Sequence, residues 1–234
     1  MSQSSADSER EVALREIGVE VAQCQKCDLY RLALKGVPGE GSAGAEVMLI
    51  GEAPGFNEDR QGRPFVGAAG QFLEELLRSV GLRRDDVFVA NVVKHRPPEN
   101  RDPLPEEIAA CSGYLDRQIA VIDPKVIVTL GRFSMNRFFP DERISRIHGV
   151  ARRHDQRLVL PLYHPAAALH QASLRRVIEE DFRRLPAVLA EARKLRASPT
   201  GPAGPAGPAG PAGPAASGGA AGASAPEPKQ LSLF

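Results

Sequence analysis

Val47-Met48-Leu49-Ile50-Gly51-Glu52-Ala53-Pro54-Gly55 is the stretch on which the reading of this chain turns. Four apolar residues stop abruptly at a glycine, as a short strand buried on both faces does. A long glycine-rich loop follows, Phe56-Asn57-Glu58-Asp59-Arg60 and then Gln61-Gly62-Arg63-Pro64-Phe65-Val66-Gly67-Ala68-Ala69-Gly70. Beyond it Phe72, Leu73, Leu76 and Leu77 recur at helical spacing. Strand, loop and helix form the opening unit of an open α/β sheet, in which sites lie at the carboxyl ends of strands. The loop gathers Glu52, Glu58, Asp59 and Phe65 among its glycines. It has neither the lysine of a P-loop nor GxGxxG spacing, and its acids repel phosphate. A solvated surface connection is the competing reading of this stretch taken alone.

Three further apolar runs, 87–93, 126–131 and 158–163, alternate with helical patterns at 105–122, 133–139 and 174–196. Pro105, Glu106 and Glu107 open the first of these helices in the way the helix dipole favours. The alternation predicts a three-layer α/β/α domain around a central, mostly parallel four-stranded sheet. Three strand ends carry polar residues in constrained loops: Glu52, Asn91 and His164. Their convergence on one sheet edge is what a pocket requires. Residues 1–10 read as disordered, 12–24 as a helix and 144–150 as a loop.

The 234 residues, 42% of them hydrophobic, allow one domain with tails, here 11–196. A net charge of +1 does not by itself announce nucleic acid. The basic residues are clustered, however, at 96–101, 143–157 and 175–184, which makes a basic groove an expectation. The polar N-terminus has no signal-peptide core, and no run is long enough to span a membrane. A cytoplasmic protein is expected, and its three cysteines argue against a disulfide framework. Cys24-Gln25-Lys26-Cys27 closes a helix and enters a loop, which favours a metal or cluster over a redox pair.

Gly51-Glu-Ala-Pro-Gly55, Pro64-Phe-Val-Gly67, Asn91-Val-Val-Lys94 with Arg96-Pro-Pro-x-Asn-Arg101, and His164-Pro-Ala166 together resemble the family 4 uracil-DNA glycosylases, the iron–sulfur type of bacteria and archaea. The resemblance spans roughly residues 12–190. It implies the uracil-DNA-glycosylase-like fold and hydrolysis of the N-glycosidic bond of uracil in DNA, leaving an abasic site. The residues suit that chemistry. A flipped uracil needs an aromatic partner, for which Phe65 is the candidate. An Asn side chain carries both an acceptor for uracil N3–H and a donor for O4, so Asn91 can read that edge. His164 near O2 would stabilise the leaving anion. By resemblance Glu52 is the first choice for the carboxylate that orients water and Glu58 the second. Gly51 and Ala53 are assigned to the pocket, and Asn100 to the pocket or the DNA backbone. Ala53 stands where some other glycosylase families place an Asp. Taken singly, Phe65 also reads as a core aromatic, Asn91 as a turn former and His164 as a loop histidine.

The family binds a [4Fe–4S] cluster through four cysteines. Cys24, Cys27 and Cys111 match three of them, and His95 stands at the remaining position. Three cysteines plus a histidine are therefore the expected ligand set, against a labile or absent cluster with His95 solvated. Arg146-Ile147-His148 is similar to a string that traps DNA covalently in certain relatives, but there it lies in an insertion missing here. His148 is read as a DNA-phosphate or loop residue. Leu169 is a candidate wedge for the gap left by the flipped base.

Residues 197–229 change character, with five Gly-Pro-Ala triplets from Gly201 to Ala215. They read as a semi-extended linker. The terminal Gln230-Leu231-Ser232-Leu233-Phe234 looks like a bacterial sliding-clamp-binding peptide. A monomeric enzyme is expected. The competing classes are a glycosylase for other deaminated bases such as hypoxanthine or xanthine, a non-catalytic uracil-DNA-binding module, and an iron–sulfur partner of a DNA polymerase.

Overall fold

Alternation along the central strands decides which helices cover which face. The computed structural model describes residues 3–197. The expectations for the linker and for residues 230–234 lie outside the described residues. The elements begin with helix α1 (Gln3–Ala22), strands β1 (Glu40–Gly41) and β2 (Val47–Gly51), and helices α2 (Phe56–Gln61) and α3 (Ala68–Ser79). Next come β3 (Phe88–Asn91), α4 (Pro105–Ile122), β4 (Val126–Leu130), α5 (Arg132–Asn136) and α6 (Ile144–Ile147). The remaining elements are β5 (Arg152–His154), β6 (Arg157–Leu162), α7 (Ala167–His170), α8 (Ala172–Phe182) and α9 (Leu185–Ala197). The sheet has six strands in the order β1-β3-β2-β4-β6-β5.

Its centre is the expected parallel set, β3, β2, β4 and β6. The two short edge strands, β1 and β5, are antiparallel and were not expected. Neither carries an apolar alternation of its own. Each exists because a neighbouring strand offers an open ladder.

Successive side chains of a strand point to opposite faces. Val47, Leu49, Val89, Val128 and Leu160 join α3, α8 and α9 in one buried cluster with Phe72, Leu76, Phe182 and Leu189. Met48, Ile50, Phe88, Ile127 and Val159 join Cys111, Leu115 and Ile119 of α4 on the other face. Both faces are therefore covered, which is why these strands read as continuous apolar runs. α1 lies outside α4, with Ile17, Val21, Cys24 and Tyr114 between them.

Three local readings are corrected. α1 begins at Gln3, where disorder to residue 10 was expected. The single helix expected at 174–196 is two, α8 and α9. Pro186, which lacks an N–H, is accommodated in the first turn of the second. Within 144–150 the chain makes the short helix α6. Pro161 in β6 is tolerated because β5 pairs only as far as Val159, so no edge ladder needs its missing N–H.

Candidate active site

Register brings the strand ends together. Gly51 pairs with Asn91 across β2 and β3, and Leu130 with Leu162 across β4 and β6. His164 follows two residues beyond β6. A Cβ on Gly51 would collide with Asn91 Oδ1 and lie 2.6 Å from Phe65 Cζ. Only glycine therefore lets the amide and the ring meet over the end of β2. The Phe65 and His164 rings are stacked, with centroids 5.5 Å apart and planes 25° from parallel. Gly51, Phe65, Asn91 and His164 form one cluster at the carboxyl edge of the sheet.

Phe65 is held against its preference. Its φ is +52°, a left-handed conformation unfavourable to a bulky residue. The backbone around it is gripped from several sides. Glu58 Oε1 accepts the Val66 and Gly67 amides at 2.8 and 2.9 Å. Arg84 donates to the carbonyls of Pro64 and Phe65. A side chain on Gly70 would collide with the Phe65 carbonyl, so α3 needs glycine there to approach this closely. Strain of this kind persists only where the surroundings over-determine it. The structure thus gives Glu58 a loop-fixing contact. It also brings in Arg84, whose contribution no local sequence signal reveals.

His164 is buried, and burial pushes its imidazole down to about 4. It is therefore neutral at physiological pH. Its Nδ1 accepts the Ala166 amide N–H at 3.1 Å. The remaining proton is thereby assigned to Nε2, which makes that atom a donor. Asn91 is 2% exposed, and its Oδ1 is buried without a hydrogen-bond partner. An acceptor left that way costs about 1–3 kcal/mol. The neighbouring backbone is rigid: buried Lys94 donates from Nζ to the Asn91 carbonyl at 2.9 Å and to Gln118 Oε1 at 2.8 Å.

Glu52 follows β2, and its carbonyl accepts the Val93 amide at 3.1 Å. Burial, with Asp102 adding to it and Arg132 opposing, pushes its carboxyl up to about 7. Arg132 and Asp102 are themselves an ion pair. Ala53 is half-buried and packs against the α4-side core. Asn100 is not brought into the cluster by a hydrogen bond; its Oδ1 accepts from Arg96 Nε. Most arginines of the expected basic groove are spent on carboxylates: Arg101 on Glu107, Arg152 on Glu142, Arg175 on Glu75 and Glu179, Arg176 on Glu180. His148 Nδ1 lies 2.6 Å from Oδ2 of buried Asp181, and its ring 4.7 Å from that of Tyr163. The Arg-Ile-His string is thus anchored to α8 and to the residue just after β6. A cavity of about 800 Å³ between α1 and the 36–44 segment contains none of these side chains.

The candidate cluster ligands come from the segment after α1, the loop after β3 and α4. Cys24 and Cys111 are buried, Cys27 is half-buried, and His95 is 5% exposed. Burial pushes the Cys27 thiol up and that of Cys111 to about 11, and the three thiols lie close enough to act on one another. The Lys94 amide donates to Cys111 Sγ at 3.4 Å. His95 and Cys24 line one cavity of about 140 Å³. Among the described residues no three His, Cys, Asp or Glu side chains converge as ligands of a single ion. Thiols and an imidazole are donor types that iron–sulfur clusters accept.

The family model of the uracil DNA glycosylase superfamily matches residues 38–185. A type-4 uracil-DNA glycosylase of Sulfurisphaera tokodaii is 49% identical over 183 residues, 74% of this chain and 83% of its own. That of Saccharolobus solfataricus is 49% identical over 184 residues, 74% and 85% of the two chains. That of Archaeoglobus fulgidus is 47% identical over 182 residues, 74% and 92%.

Proposed function

The chain belongs to the uracil DNA glycosylase superfamily, on the side of its type-4 members, and from that premise we propose that the cluster at the strand ends receives one uracil flipped out of DNA. The protein is a DNA glycosylase that excises uracil in DNA repair. The observation that carries the pocket assignment is the orphaned Oδ1 of Asn91. Uracil N3–H supplies the missing donor, and the Asn91 amide N–H donates to O4. Cytosine, which has no N3–H and carries an amine at position 4, inverts both contacts. Phe65 offers its ring to the base.

In the reaction the C1′–N1 bond breaks and its electron pair goes to uracil, spreading onto O2. The Nε2–H of His164 donates to that oxygen. Because His164 is neutral, it acts as a preorganised donor and not as an acid. Glu52 in its ionised form orients water toward C1′ and accepts the water proton. Its pKa near neutrality suits that task. Leu169, 48% exposed just after His164, is placed to fill the stack behind the extruded base.

The test is alkaline strand cleavage of a uracil-containing oligonucleotide. Wild type should break the strand at uracil, and His164→Ala should do so about 10²–10³-fold more slowly, the usual loss for one donor to a developing anion. Strands left intact by folded wild type at uracil, but broken at hypoxanthine or xanthine, would move the substrate to another deaminated base.

Cys24, Cys27, Cys111 and His95 would hold a [4Fe–4S] cluster. When bound, such a cluster supplies a covalent pin between α1, the loop after β3 and α4, with a potential raised by its histidine. The chain's own residues prepare the place: Tyr114 packs with Cys24, and the Lys94 amide donates to Cys111 Sγ. His95→Ala should lower iron per chain and bleach the cluster absorbance. Unchanged iron and spectrum would remove His95 from the ligand set.

Gln230, Leu231, Ser232, Leu233 and Phe234 are proposed, on their sequence alone, to bind a sliding clamp and hold a cytoplasmic monomer near newly replicated DNA. No helix among the described residues is long and apolar enough to cross a membrane.

A further inference from the structure

Phe56 is the first residue of α2 and is 51% exposed. A lone exposed apolar side chain needs no explanation. This one differs in its company. The Arg60 guanidinium lies 5.4 Å from its ring centroid and that of Arg96 5.2 Å. Arg60 is one helical turn along α2, whereas Arg96 comes from the loop after β3. Among the described residues neither has an ion pair with a carboxylate, in contrast to most arginines of this domain. Arg96 is instead aimed by Asn100, whose Oδ1 takes its Nε–H.

The other side chains of α2 bolt it down. Buried Asp59 accepts the amides of Leu34 and Lys35, and Glu58 grips the Phe65 loop. The exposed aromatic ring and Arg60 are therefore carried on a fixed helix, with the half-buried Arg96 reaching the same ring from the loop after β3. They sit on the same two chain segments, after β2 and after β3, that supply Gly51, Phe65 and Asn91 to the pocket. Aromatic faces with neighbouring arginines are how proteins hold the unpaired bases of a single strand, and rigidity lowers the cost of ordering them.

We propose that Phe56, Arg60 and Arg96 form a stacking platform for one unpaired base of the strand that carries the target, next to the base in the pocket. This rests on the glycosylase reading for the identity of the strand. Phe56 takes the base, and the two guanidiniums take the base plane and its flanking phosphates.

The test is fluorescence anisotropy with the full chain and a single-stranded oligonucleotide holding one 2′-fluoro-2′-deoxyuridine, whose glycosidic bond resists hydrolysis. A tetrahydrofuran spacer then replaces, one at a time, each base within three nucleotides of it. Wild type should lose roughly tenfold in affinity at one spacer position. Phe56→Ala should bind the unmodified strand roughly tenfold more weakly and lose less than about twofold further at that position. Phe56→Trp should restore both. Arg96→Gln should lower the salt slope of binding by about one. Phe56→Ala that binds like wild type, or loses equally at every spacer position, overturns the platform. Uracil cleavage by wild type, measured alongside, separates the two readings: cleavage without a Phe56 effect rejects the platform alone, whereas neither cleavage nor binding rejects both.

Discussion

Asn91→Leu should lower kcat/KM for uracil excision by about 10³-fold or more. A site built to hydrogen-bond its substrate loses both the contact and the discrimination when the reader is removed. Leucine matches asparagine closely in shape, so the packing over Gly51 and against Phe65 is kept. The buried acceptor without a partner disappears at the same time. Thermal stability should therefore hold or rise slightly, because an unsatisfied polar atom is replaced by an apolar one. Single-turnover rates on uracil-containing strands, measured beside unfolding curves, separate the two effects. Activity within tenfold of wild type would take Asn91 out of the pocket-reading role. So would an activity loss matched by unfolding.

Glu52→Gln should slow excision by about two orders of magnitude, the scale of a general-base contribution, while making the protein more stable above neutral pH. Folded Glu52 keeps its proton up to about pH 7, against an ordinary value of 4.5. The folded chain therefore binds more protons than the unfolded chain between those values. Stability on this account is full below about pH 4.5, falls as pH rises, and is lost once pH passes about 7. The penalty at pH 8 is on the order of 3 kcal/mol, at 1.36 kcal/mol per pH unit. Glutamine carries no such penalty. Denaturant unfolding at pH 5 and pH 8.5 should show the variant gaining much more on wild type at the higher pH. The wild-type rate should fall on an acid limb near pH 7, and that limb should vanish in the variant. His164 stays neutral down to about pH 4, so it does not contribute to the limb. An equal stability difference at both pH values would contradict the raised carboxyl.

The two predictions describe one compromise. The same burial that raises Glu52 also keeps His164 neutral and strips Asn91 Oδ1 of a partner. Each of these is unfavourable to the free protein. Each becomes an asset when a base with matching donors and acceptors enters, because the groups are already dry and aimed.

The central strands, the loops that follow them and the ordered motifs were legible in the sequence because their signals are local. A run such as Val47-Met48-Leu49-Ile50 must be buried wherever it goes, and Gly51, Pro54 and Gly55 must break it. Asn91 and His164 stand out for the same reason, as polar residues at the ends of apolar runs. Other features depend on partners far along the chain. β1 and β5 exist only because β3 and β6 offer open edges. The strained turn at Phe65 needs Arg84, nineteen residues away, and the glycine at Gly70. Glu58 reads as a solvated or catalytic acid until its two amide donors are seen. His95 and Cys24 are seventy-one positions apart in number and line one cavity only once β3 and α1 are set against α4. The tautomer of His164 and the raised carboxyl of Glu52 follow from burial and from neighbours on other elements. The sequence by itself determined which residues could do the chemistry, since side-chain type and local period are written in it. Only the tertiary structure decided their protonation, their partners and their strain, because those depend on distances between segments that no local pattern encodes.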